Sequence, residues 1–194
     1  MAHDRASRPE AKALRLFVAI DLPEDVQDEV DRAIGPWREA FPRARWAPRV
    51  NRHVTLKFLG QTWPRLSDWV PEQVGVVAAT SSPFDTRLRG LGAFPSPGRA
   101  RVLWAGLDDD NGRMAGLASA LDEVLAKEFR PETRAFAPHL TVARSEPPVG
   151  LPEGFGLTRV EPVSFRVDHL TLFRSYLQRP APRYEPLGVF RLGG

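Results

Sequence analysis

The sequence predicts an α+β domain with largely antiparallel sheets, and three observations predict it. Apolar runs of strand length alternate with amphipathic segments of helical period. Several of the runs look hairpin-linked. The order strand, helix, strand also recurs, and in each half the last strand carries the pattern His-apolar-Thr-apolar: His53-Val54-Thr55-Leu56 and His139-Leu140-Thr141-Val142. No long linker divides the halves. We therefore expect one domain over residues 13–194 with pseudo-twofold character, its helices outside and its polar strand faces lining a central cleft.

Each element follows from its residues. Leu14 to Ile20 is a compact apolar run and reads as a buried strand. Asp21, Pro23, Glu24 and Asp25 supply a capping oxygen, a first-turn proline and acids at the positive dipole end. Val26, Val30, Ile34 and Trp37 then recur at helical spacing. Trp46 to Val50 is a proline-interrupted connector, His53 to Leu59 the next strand, and Gly60 its end. A second helix is expected between Pro64 and Ala79, with Pro71 blurring its boundaries. Phe84 to Leu91 and Arg101 to Leu107 read as strands about the Pro95-Ser96-Pro97-Gly98 turn. Asp110 is positioned to cap a long helix whose stripe is Met114, Leu117, Leu121, Val124, Leu125 and Phe129. His139 to Arg144, Val163 to Phe173 and Arg183 to Leu192 complete the strands, with a Pro/Gly-rich loop over Pro147 to Gly156.

Bulk properties narrow the class. The 194 residues allow one substantial core, and 42% hydrophobic with 26% charged residues is ordinary for a soluble globular protein. No run of 18 apolar residues offers a membrane span. The polar N-terminus lacks the apolar stretch of a secretory signal, so residues 1–12 read as a flexible tail. The absence of cysteine excludes disulfides and Cys-ligated metal and is compatible with the cytoplasm. A net charge of +3, mostly from arginine, leans mildly towards anionic partners, nucleic acid among them.

The paired pattern carries chemistry. Residues two apart on a strand share a face, so each segment sets an imidazole beside a hydroxyl. If the two strands lie near each other, His53, Thr55, His139 and Thr141 converge. Breaking a P–O bond needs a base for the attacking oxygen and an acid for the leaving one, and histidine serves as either near neutral pH. A threonine hydroxyl can donate to a non-bridging phosphate oxygen. Neither segment has a carboxylate or second histidine at ligand spacing, so no metal is expected. Lys57 shares the His53 face by alternation and reads equally as a substrate contact or a solvated charge; Phe58 should face the core. A third match, His169-Leu170-Thr171, shows how readily the pattern arises.

These residues resemble the two-histidine (2H) phosphoesterase superfamily, closest to the RNA 2′,3′-cyclic phosphodiesterases of the LigT-like or ThpR family. The resemblance runs from about Leu14 to Leu192 through Arg15-Leu16-Phe17-Val18-Ala19-Ile20-Asp21-Leu22-Pro23, His53-Val54-Thr55-Leu56-Lys57-Phe58-Leu59-Gly60, Arg101-Val102-Leu103-Trp104-Ala105-Gly106, Phe136-Ala137-Pro138-His139-Leu140-Thr141-Val142-Ala143-Arg144 and Tyr184-Glu185-Pro186-Leu187. It implies a bilobal fold of two sheets about a cleft. It further implies metal-independent hydrolysis of 2′,3′-cyclic phosphate ends of RNA or nucleotides to 2′-phosphates; we expect a monomer with no cofactor or obligate protein partner. By position His53, Thr55, His139 and Thr141 are the catalytic residues, and His169 is structural. Arg144 matches an arginine ending the second motif and is expected to bind phosphate, although strict alternation puts it on the face opposite His139. His139 is assigned as base and His53 as acid, labels the sequence leaves exchangeable. 2′-5′ RNA ligation by the same site, or nucleotide binding without turnover, remain as alternatives.

Overall fold

The structure, a computed structural model, describes residues 13–193; the tail expected over residues 1–12 lies outside the described residues. The chain runs β1 (Leu14–Ile20), α1 (Glu24–Ile34), β2 (Arg45–Trp46), β3 (Val54–Thr62), α2 (Trp69–Ala79), β4 (Phe84–Phe94), β5 (Ala100–Leu107), α3 (Arg113–Leu125), β6 (His139–Val149), β7 (Ser164–Val167), β8 (His169–Tyr176) and β9 (Arg183–Arg191). Among the described residues no helix is long and apolar enough to cross a membrane.

All strand pairs are antiparallel, in the order β7-β4-β5-β6-β3-β1-β8-β9, with β2 added to β6. That order is symmetric about the β6/β3 step, so β3, β1, β8 and β9 form one half and β6, β5, β4 and β7 the other. The two expected sheets meet edge to edge through a single residue pair, Val54 opposite Leu140. Both side chains are fully buried. The core is one continuous apolar cluster that draws on both halves.

Two of the three helices, α1 and α3, are exchanged between the halves. α1 follows β1 but leaves for the other half: Glu29 accepts a hydrogen bond from the Glu161 N–H (2.6 Å) and Trp37 Nε1 donates to Thr158 Oγ1 (2.9 Å). α3 follows β5 but lies against β3 and α2 of the first half. α2 covers β8 and β9. Apolar stripes on all three helices close over the sheet, Val26, Val30 and Ile34 on α1, Val70, Val74 and Val77 on α2, and Leu117, Leu121 and Leu125 on α3.

Several elements differ from expectation for identifiable reasons. The run Val163 to Phe173 is two strands, β7 in one half and β8 in the other, broken at Asp168. Pro71 falls in the first turn of α2, where its missing N–H costs no intrahelical bond. β3 continues past Gly60, which at φ +66 adopts a conformation glycine takes without strain. α3 is capped by Asp109, not Asp110: its carboxylate accepts from the N–H groups of Met114 (2.8 Å) and Ala115 (2.9 Å). Asp21 does not cap α1, whose N-cap is Pro23; it turns instead towards β8.

Candidate active site

The seam between the halves builds the site. Val54 and Leu140 point into the core, so their neighbours on both strands point to the opposite face. One step out in antiparallel register, His53 stands across from Thr141 and Thr55 across from His139. The four side chains form a patch with the histidines on one diagonal and the threonines on the other; diagonal neighbours of this kind lie roughly 7–8 Å apart. All four are half-buried.

Each imidazole is set by its surroundings. Phe17 stacks on His53 with centroids 4.7 Å apart, and Tyr184 (5.2 Å) and Phe173 (6.1 Å) complete an aromatic enclosure. Loss of hydration there pushes the His53 pKa down to about 4; the Asn51 carbonyl and the Asp21 charge oppose the shift, while Arg144 and His139 reinforce it. His139 packs against the edge of Phe94 at 4.9 Å. Its Nδ1 lies 2.7 Å from the Ala137 carbonyl, which in the neutral ring makes Nδ1 the donor and leaves the Nε2 lone pair free. Burial lowers its pKa, as does Arg144, against the Ala137 hydrogen bond.

Two β-bulges decide which other residues reach this face. On β6, Ala143 pairs with Leu103 but Thr141 pairs with Trp104, so Val142 is an extra residue and the alternation resets. Arg144 therefore turns onto the His139 face, which strict alternation denied it. On β3, Lys57 pairs with Val18 but Thr55 pairs with Ala19, and here Leu56 is extra. This reset works against the expectation for Lys57. It is 5% exposed, points to the helix side, and is held by the Asp122 carboxylate and the Arg130 carbonyl. Lys57 is therefore no substrate contact in this structure. Phe58, expected in the core, is instead 51% exposed on the histidine face, with the Arg15 guanidinium 4.6 Å from its ring centre.

Sequence reasoning missed the aromatic enclosure and Asp21. One sign was available for the first: the run Leu14 to Ile20 is apolar at nearly every position, as in a strand covered on both faces. The third histidine is tied down, with Nδ1 2.6 Å from Asp168 Oδ1 and Nε2 3.4 Å from Asp21 Oδ2. A separate hollow of about 400 Å³ between Thr86, Arg87, Asp108 and Arg113 lies away from the histidines. Its Asp108 is already bound by Arg87, at 2.9 Å. No group of side chains suited to holding a metal ion occurs among the described residues.

A family model described as the 2′-5′ RNA ligase superfamily matches residues 26–179. An RNA 2′,3′-cyclic phosphodiesterase of Methanothermobacter thermautotrophicus is 35% identical over 184 residues, covering 92% of this chain and 99% of that one. Among solved structures, TT0787 of Thermus thermophilus superposes with a TM-score of 0.79 at 29% identity, over 93% of this chain and 99% of that one. Escherichia coli LigT complexed with 3′-AMP superposes with a TM-score of 0.72 at 27% identity, over 93% and 99%.

Proposed function

The chain belongs to the 2′-5′ RNA ligase superfamily, and from that footing we propose that it is an RNA 2′,3′-cyclic phosphodiesterase working through His53 and His139. The observation that carries the mechanism is the patch at the seam, where two imidazoles and two hydroxyls face one small volume.

In this reading the neutral His139 takes a proton from water through its free Nε2 as the water oxygen attacks phosphorus. The P–O3′ bond breaks, the imidazolium of His53 gives its proton to O3′, and a 2′-phosphate remains. His53 is largely neutral in the free protein at pH 7 and takes up its proton with the anionic substrate, whose charge offsets the cost of enclosure. Thr55, Thr141 and Arg144 donate to the non-bridging oxygens as negative charge grows. Phe58 offers an exposed ring for a base further along the strand.

An oligonucleotide ending in a 2′,3′-cyclic phosphate tests the reading, with the product's phosphate position mapped. We expect a 2′-phosphate, formed equally well in excess EDTA. A 3′-phosphate, or loss of activity on chelation, would refute it. Adding a 5′-hydroxyl acceptor separates hydrolysis from ligation, in which that hydroxyl replaces water.

A further inference from the structure

We propose that Asp21 is a positioning residue for this site: clamped by Thr171 and His169, it fixes a negative charge across the strand from His53 and stabilises the imidazolium. The inference rests on the acid role given to His53 above, and it assigns work to the third His-apolar-Thr segment.

The placement follows from strand register. Ile20 pairs with Val54, so the next residue, Asp21, stands across from His53. On the other side of β1, Ala19 pairs with Thr171, and two steps on Asp21 stands across from His169. A carboxylate thus lies in one row between two histidines, on the face that carries the seam patch. It is also anchored. Thr171 Oγ1 donates to Asp21 Oδ2 at 2.5 Å from a position only 1% exposed, and His169 Nε2 lies 3.4 Å from the same oxygen. Asp168 holds the far side of the His169 ring at 2.6 Å. Oδ1 accepts no hydrogen bond among the described residues, so one carboxylate oxygen remains for the His53 side.

The two halves differ at this point. The residue across from His139 on β5 is Gly106, so His139 has no such carboxylate. Among the groups that face His53, Arg144 and His139 on β6 disfavour the imidazolium. Arg15 on β1 and Tyr184 on β9 share the face, and Arg191 on β9 pairs with His169 in register. Asp21 is the charge among them that favours it.

Ring NMR of His53 reads the effect without turnover. In the free protein at pH 4 about half of His53 is protonated in the parent; a loss of about one unit in D21N leaves about one tenth. T171V, which keeps the charge but leaves the carboxylate held by His169 alone, moves the fraction the same way by less. In kcat against pH, D21N shifts the alkaline limb down by about one unit, so the loss grows to about tenfold at pH values above that limb, with KM within about twofold. A role in folding alone would lower activity at every pH and leave the limb in place. An unchanged His53 protonated fraction in D21N, or an unmoved alkaline limb, overturns the proposal. A parent protein inactive on cyclic phosphate would refute the proposed function instead, and the NMR result would still decide the place of Asp21.

Discussion

Arg144 stands to His139 as Phe58 stands to His53: each lies five residues on, just past a β-bulge, and each turns onto its histidine's face. The symmetry is geometric, not chemical. One half supplies a guanidinium on this face and the other an aromatic ring.

For Arg144, replacement by alanine removes a charged hydrogen-bond donor worth about 1.5–3 kcal/mol. Steady-state kinetics of R144A should show kcat/KM for a cyclic phosphate substrate reduced by roughly 10- to 150-fold. R144K should recover part of the loss, as a point charge without the bidentate fork.

Phe58 is the next residue of β3 on the site face after Thr55. Stacking of one base is worth about 1–3 kcal/mol. F58A should therefore weaken kcat/KM for a cyclic-ended oligonucleotide while sparing a cyclic mononucleotide. Equal losses on both would place the terminal base, not its neighbour, on this ring.

Alanine at His53 or His139 should each lower kcat by roughly 10²–10⁴. Circular dichroism and thermal melting should show the fold intact. In the proposed mechanism the two groups act on one transition state, so the double variant should be little worse than either single one.

Both imidazoles have depressed pKa values in the folded chain, His53 at about 4. Above pH 6.5 the folded and unfolded forms are both neutral at these positions and the shift costs nothing. As pH falls from 6.5 towards 4 the unfolded chain binds protons that the folded one refuses, and stability declines. Urea melts across that window should show the midpoint falling, and falling less steeply in H53A.

Lys57 and Asp122 form an ion pair between β3 and α3, with the lysine 5% exposed. D122A strands a buried ammonium and should cost about 3–5 kcal/mol of stability. K57M, which removes the charge and keeps the volume, should unfold near the parent's midpoint. Its kcat should stay at the parent value, because Lys57 faces away from the histidines.

Legibility tracked the range of the physics involved. The strand Leu14 to Ile20 and the pairing of imidazole with hydroxyl depend only on alternation within a few residues, and both stand as read. For Lys57, Phe58 and Arg144, strict alternation names the wrong face by one residue of register, and for Arg144 the bulge restores the phosphate-side placement that the motif match implied. A bulge is decided by the neighbouring strand: Leu56 and Val142 become extra only because β1 and β5 offer one residue where β3 and β6 offer two. Asp21 looked like a helix cap because capping is a local option, and Thr171, 150 positions away, outcompetes it. The exchange of α1 and α3 has no local trace at all, since an amphipathic stripe does not say which sheet it covers.

Because α1 and α3 each shelter the opposite lobe, prising the lobes apart would strip apolar surface from both at once. The spacing between His53 and His139 is thus guarded by the cooperativity of the whole molecule, although a single residue pair at the seam sets it. Expressed alone, the first lobe would keep α2 but lose α3, and the second would lose α1.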